Sequence, residues 1–188
     1  LPPVALKIVP DNTMTVSTQE MLTRIKESGA QILDVRTTGE FAGTDVRAIR
    51  GGHIPGAINI PYEENWRDPQ TAAKLTRRQV QDNAGMSLRP SADLRRLYSK
   101  LDPNKEVVVY CQSGTRASET AAVLGELGFR NVKVYKSSWL GWAAKLDAPA
   151  ENEVFFNVGA LNAQLSAMQV RIDALEKELA ETHPRTPQ

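Results

Sequence analysis

Cys111, the only cysteine of the chain, stands where the run "VVVY" ends and the turn "QSGTR" begins. A helix-like stretch, "ASETAAVLGELG", follows the turn, so the thiol sits at the carboxyl end of a strand and beside a helix N-terminus. Open parallel sheets bind their ligands at that edge. Backbone N–H groups of a tight loop, joined by a helix N-terminus, form a cradle for an anion. Gly114 lets the loop adopt a positive φ or approach a ligand closely, and Arg116 adds a full positive charge. Such a field favours thiolate over thiol, and the thiolate is the nucleophile. Gln112, Ser113, Gly114, Thr115 and Arg116 are the candidate ligand-binding residues around a candidate catalytic Cys111, with hydroxyls from Ser113 and Thr115 available to a sulfur or an oxyanion. The plainer alternative is a buried cysteine acting as a small hydrophobe. That role needs neither the glycine three residues on nor the arginine two beyond it.

The composition narrows the chemistry further. A net charge of +1 over 188 residues gives no electrostatic reason to expect nucleic acid or an anionic membrane as partner. No apolar stretch approaches the ~20 residues of a membrane span. A lone cysteine forms no internal disulfide, so its redox chemistry is a matter of reactivity. The two histidines, His53 and His183, lie far apart and show no metal-ligand spacing with Cys111, so neither a metal nor another cofactor is expected. The opening "LPPVALKIVP", interrupted by Pro3 and Lys7, is not a signal peptide. It suits the mature end of a processed chain or the cut edge of a longer one, and export is the expectation taken forward.

The elements that must position the thiol are those of an α/β fold. Short apolar runs at "MTVS", "AQILDV", "GAINI", "EVVVY" and "NVKVY" predict strands. Between them, "TQEMLTRIKESG", "AAKLTRRQVQDN", "SADLRRLYSKL" and "RASETAAVLGELG" predict helices. In the first helix Ser17 or Thr18 can cap, Glu20 falls in the first turn and Gly29 closes. Strands that read as continuous apolar runs and alternate with helices argue for a parallel sheet covered on both faces.

Beyond Pro149 no strand is expected. Val158, Leu161, Leu165, Met168, Ile172, Leu175 and Leu179 follow one another at alternating spacings of 3 and 4, an unbroken a/d pattern. The flanking e and g residues Asn162, Gln164, Gln169, Arg171, Glu176 and Glu178 are all polar, so the stripe is as narrow as a coiled-coil seam. The expected organisation is a catalytic domain over 1–151, an oligomerisation helix over 152–182 and a frayed tail over 183–188. Self-association through 158–179 is preferred to docking of the helix on its own domain, and the a and d residues lean towards two strands.

Four segments, "LDVRTTGEFAG", "GGHIPGAINIPY", "VVVYCQSGTRASETAAVLGELGFRNVKVY" and "SSWLGWAAKLDAPAE", resemble those of the rhodanese, or sulfurtransferase, family, in the expected order over about residues 15–151. The resemblance implies a central parallel sheet flanked by helices. It also implies an active cysteine that accepts a sulfane sulfur as a persulfide and passes it to a thiophilic acceptor such as cyanide or a thiol. The insertion after "INIPY" and the ending "SSWLGW" are similar to the C-terminal, catalytic half of two-domain thiosulfate and mercaptopyruvate sulfurtransferases. One such half is present, and its motifs are not repeated in the chain. Mercaptopyruvate enzymes tend to follow the cysteine with small residues, Gly-Ser/Thr-Gly-Val-Thr, and thiosulfate enzymes with basic ones. Here "QSGTR" carries one basic residue, at its end, and thiosulfate is the expected donor. Ser137 stands where the family often has glycine.

Among the remaining residues, Asp34 and Trp139 are candidates for the rim of the site. Arg36 with Glu40 is expected as a structural ion pair at the "ILDV" turn, and Trp142 as core or pocket wall. His53 is expected to be a hydrogen-bonded structural histidine, and Arg47 and Arg50 to be solvated surface. A cysteine phosphatase would need five residues between Cys and Arg, and this loop has four, Gln112 to Thr115. A non-catalytic or sulfur-carrier binding module is the alternative from a different class.

Overall fold

A computed structural model describes residues 13–76 and 87–182 of the chain. The end of the predicted "AAKLTRRQVQDN" helix, the opening segment and the 183–188 tail lie outside the described residues. The chain divides into two compact units, the first ending at Phe155 and the second beginning at Phe156.

The first unit runs β1 (Thr15–Val16), α1 (Thr18–Glu27), β2 (Gln31–Asp34), α2 (Thr38–Ala42), β3 (Arg50–His53), β4 (Ile58–Asn59), a 3-10 turn (Tyr62–Asn65), α3 (Thr71–Thr76), α4 (Ser91–Leu97), β5 (Val107–Tyr110), α5 (Thr115–Glu126), β6 (Val132–Tyr135), α6 (Ser138–Ala144) and β7 (Glu151–Phe155). Strands β1, β6, β5, β2 and β4 lie in that order in one sheet, and every pair in it is parallel. From β5 the chain moves through α5 to β6 on one side, and from β2 it moves towards β4 on the other. The crevice between the carboxyl ends of β5 and β2 is therefore the point where the connections diverge, the usual ligand site of such sheets.

The core explains why β5 reads as an unbroken apolar run. Val107 and Val109 pack on one face with Leu33, Val35 and Leu124, while Val108 and Tyr110 pack on the other with Ile32, Met21, Trp139 and Trp142. Alternate side chains of a strand point to opposite faces, so a strand buried on both must be apolar throughout. Helix α5 covers the first face through Ala117, Thr120, Val123 and Leu124, all buried and spaced as one helical stripe. Helix α1 opens with a reciprocal capping box between Ser17 and Glu20. It closes at Ser28, in the left-handed region at φ 52°, one residue before the glycine expected to do so.

Two elements depart from the sequence reading. Strands β3 and β7 pair antiparallel as a separate two-stranded sheet, Arg50 opposite Phe155 and His53 opposite Glu151. Residues 152–155 thus belong to the first unit rather than to the C-terminal helix. Neither strand has a period-2 apolar pattern: β3 is Arg-Gly-Gly-His, and β7 is exposed along its length. What holds β3 is Arg50, expected at the surface and instead buried. Its guanidinium donates to the carbonyls of Trp142, Ala143, Lys145 and Ala148 and pairs with Glu153. His53 is held as expected, with its ring nitrogens 2.9 Å from the Phe41 carbonyl and 3.0 Å from the Glu151 carboxylate and its ring stacked on Phe41.

The second unit is α7 (Val158–Thr182), which begins where the Asn157 side chain accepts the Ala160 N–H at 2.9 Å. Its side chains are exposed throughout.

Candidate active site

Cys111 is the first residue past β5 and is 1% exposed. Gly114, at φ +105°, turns the chain so that its own N–H points back to Cys111 Sγ at 3.1 Å. A side chain at 114 would be strained by that φ and would meet the Lys136 carbonyl at 3.2 Å, so glycine is the residue the turn requires. Gly114 also starts α5, its carbonyl accepting from the N–H and hydroxyl of Ser118. The thiol therefore lies beside the Gly114 amide and the start of α5.

Helix α6 grips the loop from one side. The N–H groups of Trp139 and Leu140 donate to the carbonyls of Cys111 and Gln112 at 2.9 and 3.0 Å. The Cys111 N–H donates to Ser138 Oγ at 3.2 Å, and that hydroxyl donates on to the Tyr135 carbonyl. With the Cys111 and Gln112 carbonyls engaged behind it, the loop presents the Gly114 amide to the sulfur. Ser137, where glycine was the family expectation, is accommodated by Gly141 one turn on. A methyl group at 141 would lie only 2.4 Å from Ser137 Cβ. Gly141→Ala is expected to cost about 1–3 kcal/mol by overpacking. In a Ser137→Gly background the same change should become neutral or gain up to about 1 kcal/mol of helix propensity. Denaturant melts of the four proteins measure this, and equal losses in both backgrounds would show that the two sites do not share the space.

From the other side the loop is braced by Arg116. Nη1 and Nη2 donate to the two oxygens of Glu40 at 2.8 and 2.9 Å, with the Tyr62 ring 5.6 Å from the guanidinium carbon. The expected Arg36–Glu40 pair is thus replaced. Arg36 forks onto Asp34 and reaches the Gly52 carbonyl at 2.7 Å. Its guanidinium lies 4.5 Å from the centroid of the Trp139 ring. Asp34 and Trp139, assigned to the rim, are 0% and 1% exposed and belong to this buried stack. Trp142 is core, as expected. Burial by itself would raise the Glu40 carboxyl, but the Arg116 guanidinium and the Thr37 N–H hold it below its ordinary value. Burial likewise opposes the charge on Arg116, and Glu40, with the nearby Cys111 and Glu63, more than restores it.

Gln112 ties the loop to the segment before β3, its Nε2 donating to the Arg47 carbonyl at 2.9 Å. Arg47 itself is largely exposed and pairs with Asp45. Ser113, Gly114 and Thr115, with Ser118 and Lys136, line a cleft of about 600 Å³ on the β6 side of the loop. The hydrogen bond described to the sulfur comes from the Gly114 amide rather than from the hydroxyls of Ser113 or Thr115. Sequence reasoning missed Ser138, which carries no local signal, and Glu63, whose carboxyl burial pushes up and whose Oε2 is buried without a partner among the described residues. Glu40 was singled out but given the wrong arginine. Its role at the turn was readable from the capping box it makes with Thr37. Among the described residues no cluster of His, Cys, Asp and Glu could hold a metal ion, and no helix is long and apolar enough to cross a membrane.

Comparison with known proteins gives a consistent picture. Residues 17–145 match the family described as "Rhodanese-like domain". The chain is 38% identical to a thiosulfate sulfurtransferase of Corynebacterium glutamicum, over 75% of this chain and 45% of that protein. It is 34% identical to a thiosulfate sulfurtransferase of Pseudomonas aeruginosa, over 72% of this chain and 45% of that protein. It thus spans about half the length of the curated relatives it matches. Among solved structures, the Tum1 protein of Saccharomyces cerevisiae shares the fold at TM-score 0.59 and 24% identity, over 76% of this chain and 48% of that one. The anaerobic ergothioneine biosynthesis enzyme of Chlorobium limicola does so at 0.60 and 22%, over 74% of this chain and 32% of that one.

Proposed function

The chain belongs to the rhodanese-like family, and on that premise we propose that it is a sulfurtransferase working through a persulfide on Cys111. The observation that carries this reading is the Gly114 N–H aimed at Cys111 Sγ, at the carboxyl edge where the β5 and β2 connections part. The names of the curated relatives support thiosulfate as donor.

The Cys111 thiolate attacks the outer sulfur of thiosulfate. The sulfur–sulfur bond of the donor breaks, a new one forms to Sγ, and sulfite leaves with the electron pair. Charge is conserved without a proton, three negative charges on each side, so the step needs no general acid. Cyanide, or a thiolate in its place, then takes the outer sulfur, and the Cys111 thiolate is regenerated. Loop amides are fixed before the reaction by α6 and by the Arg116–Glu40 pair. They stabilise charge on the transferred sulfur without reorganising, which is where preorganised dipoles contribute most. Arg116, with both its Nη groups on Glu40, is assigned here to positioning the loop rather than to gripping the donor.

Intact-protein mass before and after brief exposure to thiosulfate, then after cyanide, tests the proposal. The expected result is a gain of one sulfur atom that cyanide removes. No gain from thiosulfate, mercaptopyruvate or polysulfide would overturn it in favour of a loop that binds without turning over.

A further inference from the structure

Helix α7, 25 residues of continuous helix, exposes seven apolar side chains along its a/d seam, Val158 to Leu179, at 39–62% of their full accessibility, and Val170 away from the seam at 69%. From Val158 to Leu179 that is a stripe roughly 33 Å long. An isolated helix gains little stability in water without a face to pack, and an apolar stripe of this extent marks an interaction surface. We propose that α7 pairs with the α7 of a second copy of this chain as a parallel, in-register, two-stranded coiled coil.

Charge flanking the seam selects both the partner and its direction. With Val158, Leu165, Ile172 and Leu179 at a and Leu161, Met168 and Leu175 at d, Arg171 falls at g and Glu176 at e. In a parallel pair each g residue faces the e residue five positions on in the other helix. Arg171 of either copy then meets Glu176 of the other, once on each side of the seam. Neither residue has an ion-pair or hydrogen-bond partner in its own chain among the described residues. In an antiparallel pair g faces g and e faces e. The registers that cover most of the seam set Arg171 against itself or against Gln164. Only a slide that strips Val158 and Leu161 of partners brings Arg171 to Glu178. The apolar residues agree with the charges: Val158 and Ile172 are β-branched residues at a, and Leu161 and Leu175 are leucines at d, the combination that favours two strands.

Sedimentation equilibrium of the full chain at micromolar concentration tests the proposal, and the mass of two chains is expected. Ile172→Asp should give the mass of one chain with an unchanged melting curve for the first unit. Arg171→Glu should weaken the dimer several-fold, and adding Glu176→Arg should restore it. Direction is read separately, with Val158→Cys in a Cys111→Ser background. Mild oxidation should link the two copies at that N-terminal layer. A single-chain or three-chain mass for the unaltered protein, or a two-chain mass with no cross-link at 158, would overturn the proposal.

Discussion

Cys111→Ser is expected to lose sulfur transfer by more than about a thousandfold while keeping its fold, as enzymes do when their nucleophile is removed. A hydroxyl at 111 still fits the turn, but its oxygen is not ionised at neutral pH and cannot carry a transferable sulfane sulfur. Stability should change little, because one atom is exchanged for a smaller one at a site whose backbone is held by α6. Thiocyanate formation from thiosulfate and cyanide measures the loss. Gln112→Ala provides the contrast, since it releases a tie to Arg47 without touching the sulfur and should reduce turnover only modestly. Retention of a substantial rate in the serine variant would mean that sulfur moves directly from donor to acceptor in the site.

Arg116→Ala is expected to be the most damaging change outside the cysteine. It leaves Glu40 as a buried carboxylate, its side chain 0% exposed, with only the Thr37 cap to solvate it. Breaking a buried pair costs about 3–5 kcal/mol, and the low end applies because the Arg116 side chain is 19% exposed. For a domain of this size about 3 kcal/mol corresponds to a fall in Tm of roughly 10 °C. Turnover should drop about a hundredfold as the loop loses its register, and Arg116→Lys should fall between, since an ammonium cannot make two parallel bonds. The pair also has a pH signature. The folded-state Glu40 pKa is depressed below 4.5, so its contribution is complete above that value and is lost as pH falls through the lower, folded one. The Tm gap between the unaltered protein and Glu40→Gln should therefore shrink in acid, starting near pH 4.5. Glu20 and Glu106, also depressed, act in both proteins and cancel in the difference. A gap that stays constant down to acid unfolding would show that Glu40 is not the titrating partner.

The sheet edge that carries Cys111 was legible in the sequence because burial on both faces forces an uninterrupted apolar β5, and because the turn after it demands a glycine with positive φ. Pairing between side chains was less legible. Arg36 was expected on Glu40, and the structure puts Arg116 there instead. The choice is made by the β2–β5 register, which sets Asp34 opposite Tyr110 and so brings the start of α2 beside the start of α5. Asp34 and Trp139 looked like rim residues because they flank the right edge. Their burial follows from the Arg36 side chain lying between them, which no linear spacing reveals. Strand β3 was invisible for a related reason. Its stability comes from one arginine bonding four carbonyls about a hundred residues away, not from an alternating pattern.

The grips on the cysteine loop all come from distant parts of the chain: Ser138 lies 27 residues after Cys111, and Glu40 lies 76 before Arg116. During synthesis, when the growing chain folds from its N-terminal end, the thiol leaves the ribosome well before the residues of α6 that shape its turn. Until those residues dock, Cys111 is an ordinary cysteine on an unformed strand end. The turn around it takes shape only when α6, with Trp139 and Trp142, docks on the sheet, so on the proposed mechanism a stalled or truncated chain carries the thiol without the loop that would put it to use.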